Sequence, residues 1–272
     1  MASMNSVITF AFDAIFKPFE GLSPWWGLVF ISAVSGVGLL WVFKLTSNQK
    51  AIKEIKRRIS GGFIEIRLFQ DDPGIMFRAL GRILSANMVY LRYSLVPLVF
   101  MMIPVIVLLV HSNGRYGLRP VLPGEKVIVT AVADSRVNLD SLRLELPEGV
   151  KLVTPAVRIV SSGEVSWAVM AGEKGDYKLT IRSGDTTVDR RLLCDTRVRG
   201  VSPARISGGA YDVFMNPGYP PVDPASGIKE FAVNYPKRIM SLAGADIHWI
   251  IIYFVLSLIF GYSVKGVLKV QI

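Results

Sequence analysis

Few residues in this chain have the types and spacing that chemistry requires. Cys194 is the only cysteine. It can form no internal disulfide and reads as a half-buried small hydrophobe. His111 and His248 stand at opposite ends of the last two apolar runs, where interfacial side chains belong, and two histidines alone do not make a metal site. Asp212, Asp223 and Glu230 are acidic residues whose spacing matches no calcium loop, so they read as solvated loop carboxylates. The chain has no Gly-x-Ser-x-Gly, no His-Glu-x-x-His and no phosphate-cradling Gly-Lys-Ser/Thr. No enzymatic activity, metal or cofactor is expected. The remaining candidates are small and polar residues placed inside apolar runs: Ser32, Ser35, Gly36 and Gly38 in the first run, Pro97 and Pro104 in the second. Proline leaves backbone carbonyls without their helical donors, and in a bilayer those carbonyls need water or a protein partner. These six residues could line a shallow, partly wet groove. Small residues in a span also serve a plainer purpose, the close packing of helices.

The runs that carry these residues are long enough to cross a membrane. The composition is 51% hydrophobic and 19% charged with a net charge of +10, a combination that fits apolar spans flanked by basic residues. Transmembrane helices are expected at 26–45, 93–111 and 247–264. Trp25, Trp26 and Trp41 lie near the ends of the first, and Trp249 and Tyr262 bound the third, as an aromatic belt would. Lys17-Pro18-Phe19-Glu20 precedes the first run and the basic stretch from Lys44 to Arg58 follows it, which suits a retained span and not a cleaved signal. Lys44, Arg92, Lys265 and Lys269 join the basic residues of 46–92 at one set of span ends, whereas charges balance closely over 112–247. The positive-inside rule therefore puts 46–92 and the tail 265–272 in the cytoplasm, and 1–25 and 112–246 outside.

Between the first two spans, 46–92 reads as a helical hairpin of coiled-coil type. Ile52, Ile55, Ile59 and Phe63 mark one helix, and Phe77, Leu80, Leu84, Met88 and Leu91 give the second an apolar stripe. Asp71-Asp72-Pro73-Gly74 supplies the turn and the second helix start. The two stripes are expected to pack against each other. Lys50, Lys53, Lys56, Arg57 and Arg58 then form an outer basic face for anionic lipid or for a client chain. Nothing suggests specific nucleic-acid recognition.

Upstream, 1–25 reads as a short interfacial helix followed by a turn at Pro18 and 21–24. Downstream, 112–206 reads as an extracytoplasmic all-β sandwich of immunoglobulin-like type. Its strands are expected at 126–133, 141–146, 157–160, 165–171, 177–183 and 186–193, separated by Gly- and Pro-containing turns including 183–185, with Trp167 in the core. Residues 207–246, rich in Gly, Pro and Asn, read as an irregular connection.

This plan resembles the YidC/Oxa/Get superfamily of membrane-protein insertases. The likeness lies in the outer N-terminus, the cytoplasmic hairpin between the first two spans and the cytoplasmic C-terminus. It also lies in Trp26-Gly27-Leu28, Leu39-Leu40 and Thr46-Ser47-Asn48-Gln49-Lys50-Ala51-Ile52-Lys53, and it covers about 5–110 and 247–272 but not the β region. In that family an arginine in the first core span helps make a cytoplasm-facing hydrophilic groove. Gly38 stands near the equivalent place, so a groove here would rest on Ser32, Ser35 and exposed backbone. The resemblance implies an insertase- or chaperone-like protein of a bacterial-type inner membrane, with membrane lipids and nascent membrane proteins as partners. The alternative expectation is a non-catalytic subunit of a membrane complex that docks a partner through its external sandwich.

Overall fold

The structure, a computed structural model, describes residues 2–184, 186–242 and 244–270. Met1 of the expected arm, Asp185 of the expected turn at 183–185, Ala243 of the expected connection 207–246, and Gln271 and Ile272 of the expected tail lie outside them. The helices are α1 (Ala2–Phe16), α2 (Pro24–Thr46), α3 (Gln49–Leu68), α4 (Pro73–Ser112), α5 (Ala210–Met215) and α6 (Trp249–Val264). The chain divides into two compact units, one of residues 1–28 with 108–249, the other of 29–107 with 250–272.

In the helical unit, local chemistry sets the breaks. Asn48 caps α3 by accepting a hydrogen bond from the Ala51 N–H at 3.1 Å. Asp72 Oδ1 accepts from the N–H groups of Gly74 at 2.8 Å and Ile75 at 3.1 Å, with Pro73 in the first turn of α4. From there α4 continues for 40 residues with Pro97 and Pro104 inside it. At 1.5 Å per residue that is about 60 Å, roughly twice a hydrocarbon core. Two helices, α2 and α4, are long and apolar enough to cross a membrane. The third apolar helix, α6, has 16 residues, about 24 Å, which is shorter than the roughly 30 Å hydrocarbon core. The third apolar segment becomes helical at Trp249 rather than at Ile247, because Ile247 pairs with Met240 in a β-hairpin.

The other unit is built on antiparallel strands. They are β1 (Lys126–Ala133), β2 (Arg143–Glu145), β3 (Val150–Ile159), β4 (Glu164–Ala171), β5 (Gly175–Ser183), β6 (Thr186–Cys194), β7 (Ala204–Ile206), β8 (Ile228–Val233), β9 (Met240–Leu242) and β10 (Ala245–Ile247). One sheet has the order β3-β4-β1-β8-β7, a second β2-β5-β6, and β9 and β10 form a separate pair. The two larger sheets enclose one core. Strict alternation in β1 buries Val127, Val129, Ala131 and Ala133 against Trp167 and Val169 of β4, Leu179 and Ile181 of β5, and Val188 and Leu192 of β6. Gly124, Gly149 and Gly163 turn the chain at positive φ between strands.

The segment 207–246 is not simply an irregular connection. It contributes α5 and the β9–β10 pair, and its β8 lies in the five-stranded sheet beside β1, with Val129 opposite Val233 and Ala131 opposite Phe231. Ile228, Phe231 and Val233 are buried. Phe231 and Val233 alternate as in a strand, a register shift opposite Val132 and Ala133 brings Ile228 inward, and the Gly and Pro around them mask so short a run.

Candidate functional site

The helical hairpin exposes both large apolar and basic side chains that a partner could engage. Its packing face is small. Ile52, Ile55 and Gly62 of α3 are buried, as are Ala79 and Ile83 of α4. A side-chain carbon on Gly62 would lie 2.6 Å from Ile83 Cγ1, so this glycine lets the two helices approach. Glu65 and Arg82 form an ion pair across the hairpin, and the Lys56 ammonium lies 5.9 Å from the centre of the Tyr90 ring.

This arrangement reverses one expectation. Ile52 and Ile55 do face inward, but Phe63, Phe77, Leu80, Leu84, Met88 and Leu91 do not. Phe77 is 67% exposed and Met88 70%. The pairing surface is built from Gly62, Ala79 and Ile83, and the large apolar side chains turn outward. Amphipathic spacing reveals that a stripe exists, not what covers it. The sequence signal for the true contact was Gly62 facing Ala79, small residues that permit close approach. Alongside runs a concave face of 630 Å³ that includes Arg58, Glu65, Arg78 and Arg82.

The five basic candidates sit on α3. Lys50 and Lys53 are exposed. Arg57 and Arg58 reach Glu54 at 3.9 and 3.5 Å, in exposed pairs that contribute little to stability. Lys56 is half-buried by Tyr90.

The six groove candidates fall into two groups. Ser32, Ser35 and Gly36 are buried. Ser35 Oγ donates to the Ser32 carbonyl at 3.2 Å, and a side-chain carbon on Gly36 would lie 2.3 Å from the Ser257 carbonyl oxygen of α6. Close helix packing, the plainer purpose of small residues, is the one that matches Gly36's surroundings. Gly38, by contrast, has nothing within 4 Å of where a side chain would begin. In α4, Pro97 is buried and Pro104 half-buried. Of the six, Gly36 is thus packed against α6, Gly38 faces open space, and the two prolines lie within α4.

The remaining candidates are structural. Cys194 is buried at the end of β6, and burial pushes its thiol pKa up, away from reactive thiolate. Asp212 Oδ2 accepts from the Gly209 N–H and Asp223 Oδ1 from the Ala225 N–H, each capping a short turn. Glu230 lies in β8. His111 stacks with Phe12 at 5.2 Å, and His248 with Trp249 at 6.2 Å. Among the described residues no three His, Cys, Asp or Glu side chains cluster as metal ligands would. Comparison with protein-family models, curated proteins and solved structures finds no match for this chain.

Proposed function

We propose that this chain is an insertase- or chaperone-like membrane protein whose hairpin receives apolar segments of other membrane proteins. The observation that carries the reading is the outward stripe of Phe63, Phe77, Leu80, Leu84 and Met88. Covering a side chain of this kind is worth about 1.5–3 kcal/mol, and a contiguous exposed stripe marks an interaction surface. The length of α4 supports the same view. If its distal half crosses the bilayer, its first half stands clear of the hydrocarbon, and lipid tails cannot cover the stripe there. The membrane is taken to be a bacterial-type inner membrane, crossed by α2, α4 and α6. The hairpin is cytoplasmic and the β unit external, as the basic residues at the span ends dictate. The hairpin between two spans is the feature shared with the YidC/Oxa/Get superfamily. The packed surroundings of Gly36 favour client recognition on the hairpin over an intramembrane groove.

An immunoglobulin-like sandwich is supported by the strand order. The sheets β3-β4-β1 and β2-β5-β6 correspond to D-E-B and C-F-G of such domains, with β8 beside β1 where strand A would lie. A second reading, docking of an external partner in a membrane complex, is favoured by β3. This edge strand exposes Leu152, Val157 and Ile159, and open edges accept added strands.

Photocrosslinkers at Phe77 and Leu84, in membranes making new membrane proteins, test the first reading. Adducts to nascent apolar segments are expected from both positions and not from Ser135. Adducts no more frequent than from Ser135 would refute it.

A further inference from the structure

The two larger sheets of the β unit turn unlike faces away from the core they share. On the β2-β5-β6 sheet the outer face is charged, and its charges are paired within the sheet. Arg182 reaches Glu145 at 2.8 Å, Lys178 reaches Asp189 at 3.5 Å, and Arg191 donates to Asp176. Such a face is complete in water. The outer face of the β3-β4-β1-β8-β7 sheet is different. Strand register puts Thr154, Ala168 and Ile128 in one row across it, and Val157, Ser166, Thr130 and Ala232 in the next. Ile128 is 49% exposed, Val157 59% and Ile159 44%. The hydroxyls of Thr130 and Ser166 bond to each other at 3.0 Å, so the centre of this face asks little of water.

The charges of this second face stand at its two ends. At one end Glu164 and Glu230 flank Val132. At the other Lys126 and Lys151 flank Met170. None of the four is in an ion pair among the described residues. A largely apolar strip with unpaired acids at one end and unpaired bases at the other is complementary to itself. A second copy laid face to face, turned by half a rotation about an axis across the strands, sets each acidic end on a basic end, as an isologous contact requires. The strip from Lys126 to Val132 is about 20 Å long, and five strands are about 20 Å across. That gives roughly 400 Å² of flat area on each copy before side-chain relief is counted, the size of a reversible contact rather than an obligate one.

We propose that the chain forms a reversible dimer through the outer face of its five-stranded sheet, with Glu164 and Glu230 of each copy against Lys126 and Lys151 of the other. The contact is independent of the hairpin's role. The test uses the full chain in neutral detergent, followed by sedimentation velocity over a range of concentrations. A concentration-dependent monomer–dimer equilibrium is expected. Reversing one end, with Glu164→Lys and Glu230→Lys together or with Lys126→Glu and Lys151→Glu together, sets like charges opposite each other and should weaken the dimer about tenfold. Making all four changes in one chain restores opposite charges and should bring the dimer back to within about threefold of the parent. Mixing the two singly reversed chains should likewise recover a dimer, an outcome that misfolding cannot produce. In membranes, a short bis-maleimide should link Thr130→Cys to its own copy in a Cys194→Ser background, and should not link Thr180→Cys on the opposite sheet. A chain that stays monomeric at about 50 μM overturns the proposal. So does a dimer indifferent to the reversals, or one that the fourfold change fails to restore. Links from Thr130→Cys to a different protein, with the chain itself monomeric, would give the face to that partner and overturn the dimer.

Discussion

Gly36 of α2 and Gly261 of α6 stand at one backbone-to-backbone contact. A side-chain carbon on Gly36 would lie 2.3 Å from the Ser257 carbonyl oxygen, and one on Gly261 would lie 3.1 Å from the Gly36 carbonyl oxygen. Neither obstacle is a side chain that can rotate away. Gly36→Ala should therefore destabilise the helical unit by about 1–3 kcal/mol through overpacking. Gly38→Ala, two residues along in open space, should be neutral or stabilise by up to about 1 kcal/mol through helix propensity. Thermal unfolding in detergent compares the two, and equal midpoints would show that the helices do not meet at Gly36.

The position of β8 changes what can fold by itself. A fragment of 117–206 lacks β8, one of the two strands that pair with β1, so it should show no cooperative urea transition, whereas 117–240 should show one. Within the longer fragment, Trp167→Ala and Phe231→Ala should each cost about 3–5 kcal/mol, because both side chains are buried in the core. A cooperative 117–206 fragment would mean that β8 is dispensable.

Tyr235 should make the β unit alkali-sensitive. Its buried hydroxyl accepts from the Leu193 N–H at 2.9 Å and donates to the Arg191 carbonyl at 3.3 Å. Burial raises its pKa from 10.0 to about 12. The unfolded chain then loses its proton first as pH rises, so this contribution is complete below pH ~10 and declines toward pH ~12. Arg190 acts in the opposite direction. Its guanidinium is buried and donates to the Phe231 and Ser202 carbonyls. Burial pulls its pKa down from the usual arginine range, and the two carbonyl acceptors favour the charged form. Tyr235→Phe removes the tyrosine's titration together with its charge interaction with Arg190. The stability advantage of the parent should shrink by roughly 1 kcal/mol between pH 9 and pH 11. A constant difference across that range would contradict the shift.

Orientation can be read by labelling. In a Cys194→Ser background, an impermeant thiol reagent added from outside should mark a cysteine at Ser135 and spare one at Ser85, both exposed positions. The reverse pattern would invert the topology argued from the basic residues.

Much of the architecture was legible because it rests on short-range rules. The alternation over 126–133 is β1 from end to end, Trp167 is in the core, and Asp72-Pro73 starts α4. Two kinds of feature were not legible. One is the choice of partner face. The stripe beginning at Phe77 was visible in the sequence, but hydrophobicity cannot tell packing against α3 from display outward, and the contact at Gly62, Ala79 and Ile83 is too small to stand out. The other is long-range convergence. Arg115 sits in a turn with no motif around it, and the Asp13 that it contacts is 102 residues away. No local pattern announces such a pair.

The pairing of Val129 with Val233 has a consequence for timing. The two strands are about a hundred residues apart, so the β1 edge that β8 will occupy waits through most of the unit's synthesis. During that interval an open edge is available to a neighbouring chain, the setting in which strand exchange and aggregation begin. Arg190 is held by the Phe231 carbonyl, so that link between the sheets also forms only after β8 emerges. Folding of this unit is thus tied to the end of its own translation, shortly before α6 is made. A truncation anywhere after β6 and before β8 would leave a chain that keeps α1 to α4, lacks α6 and has its largest sheet unfinished.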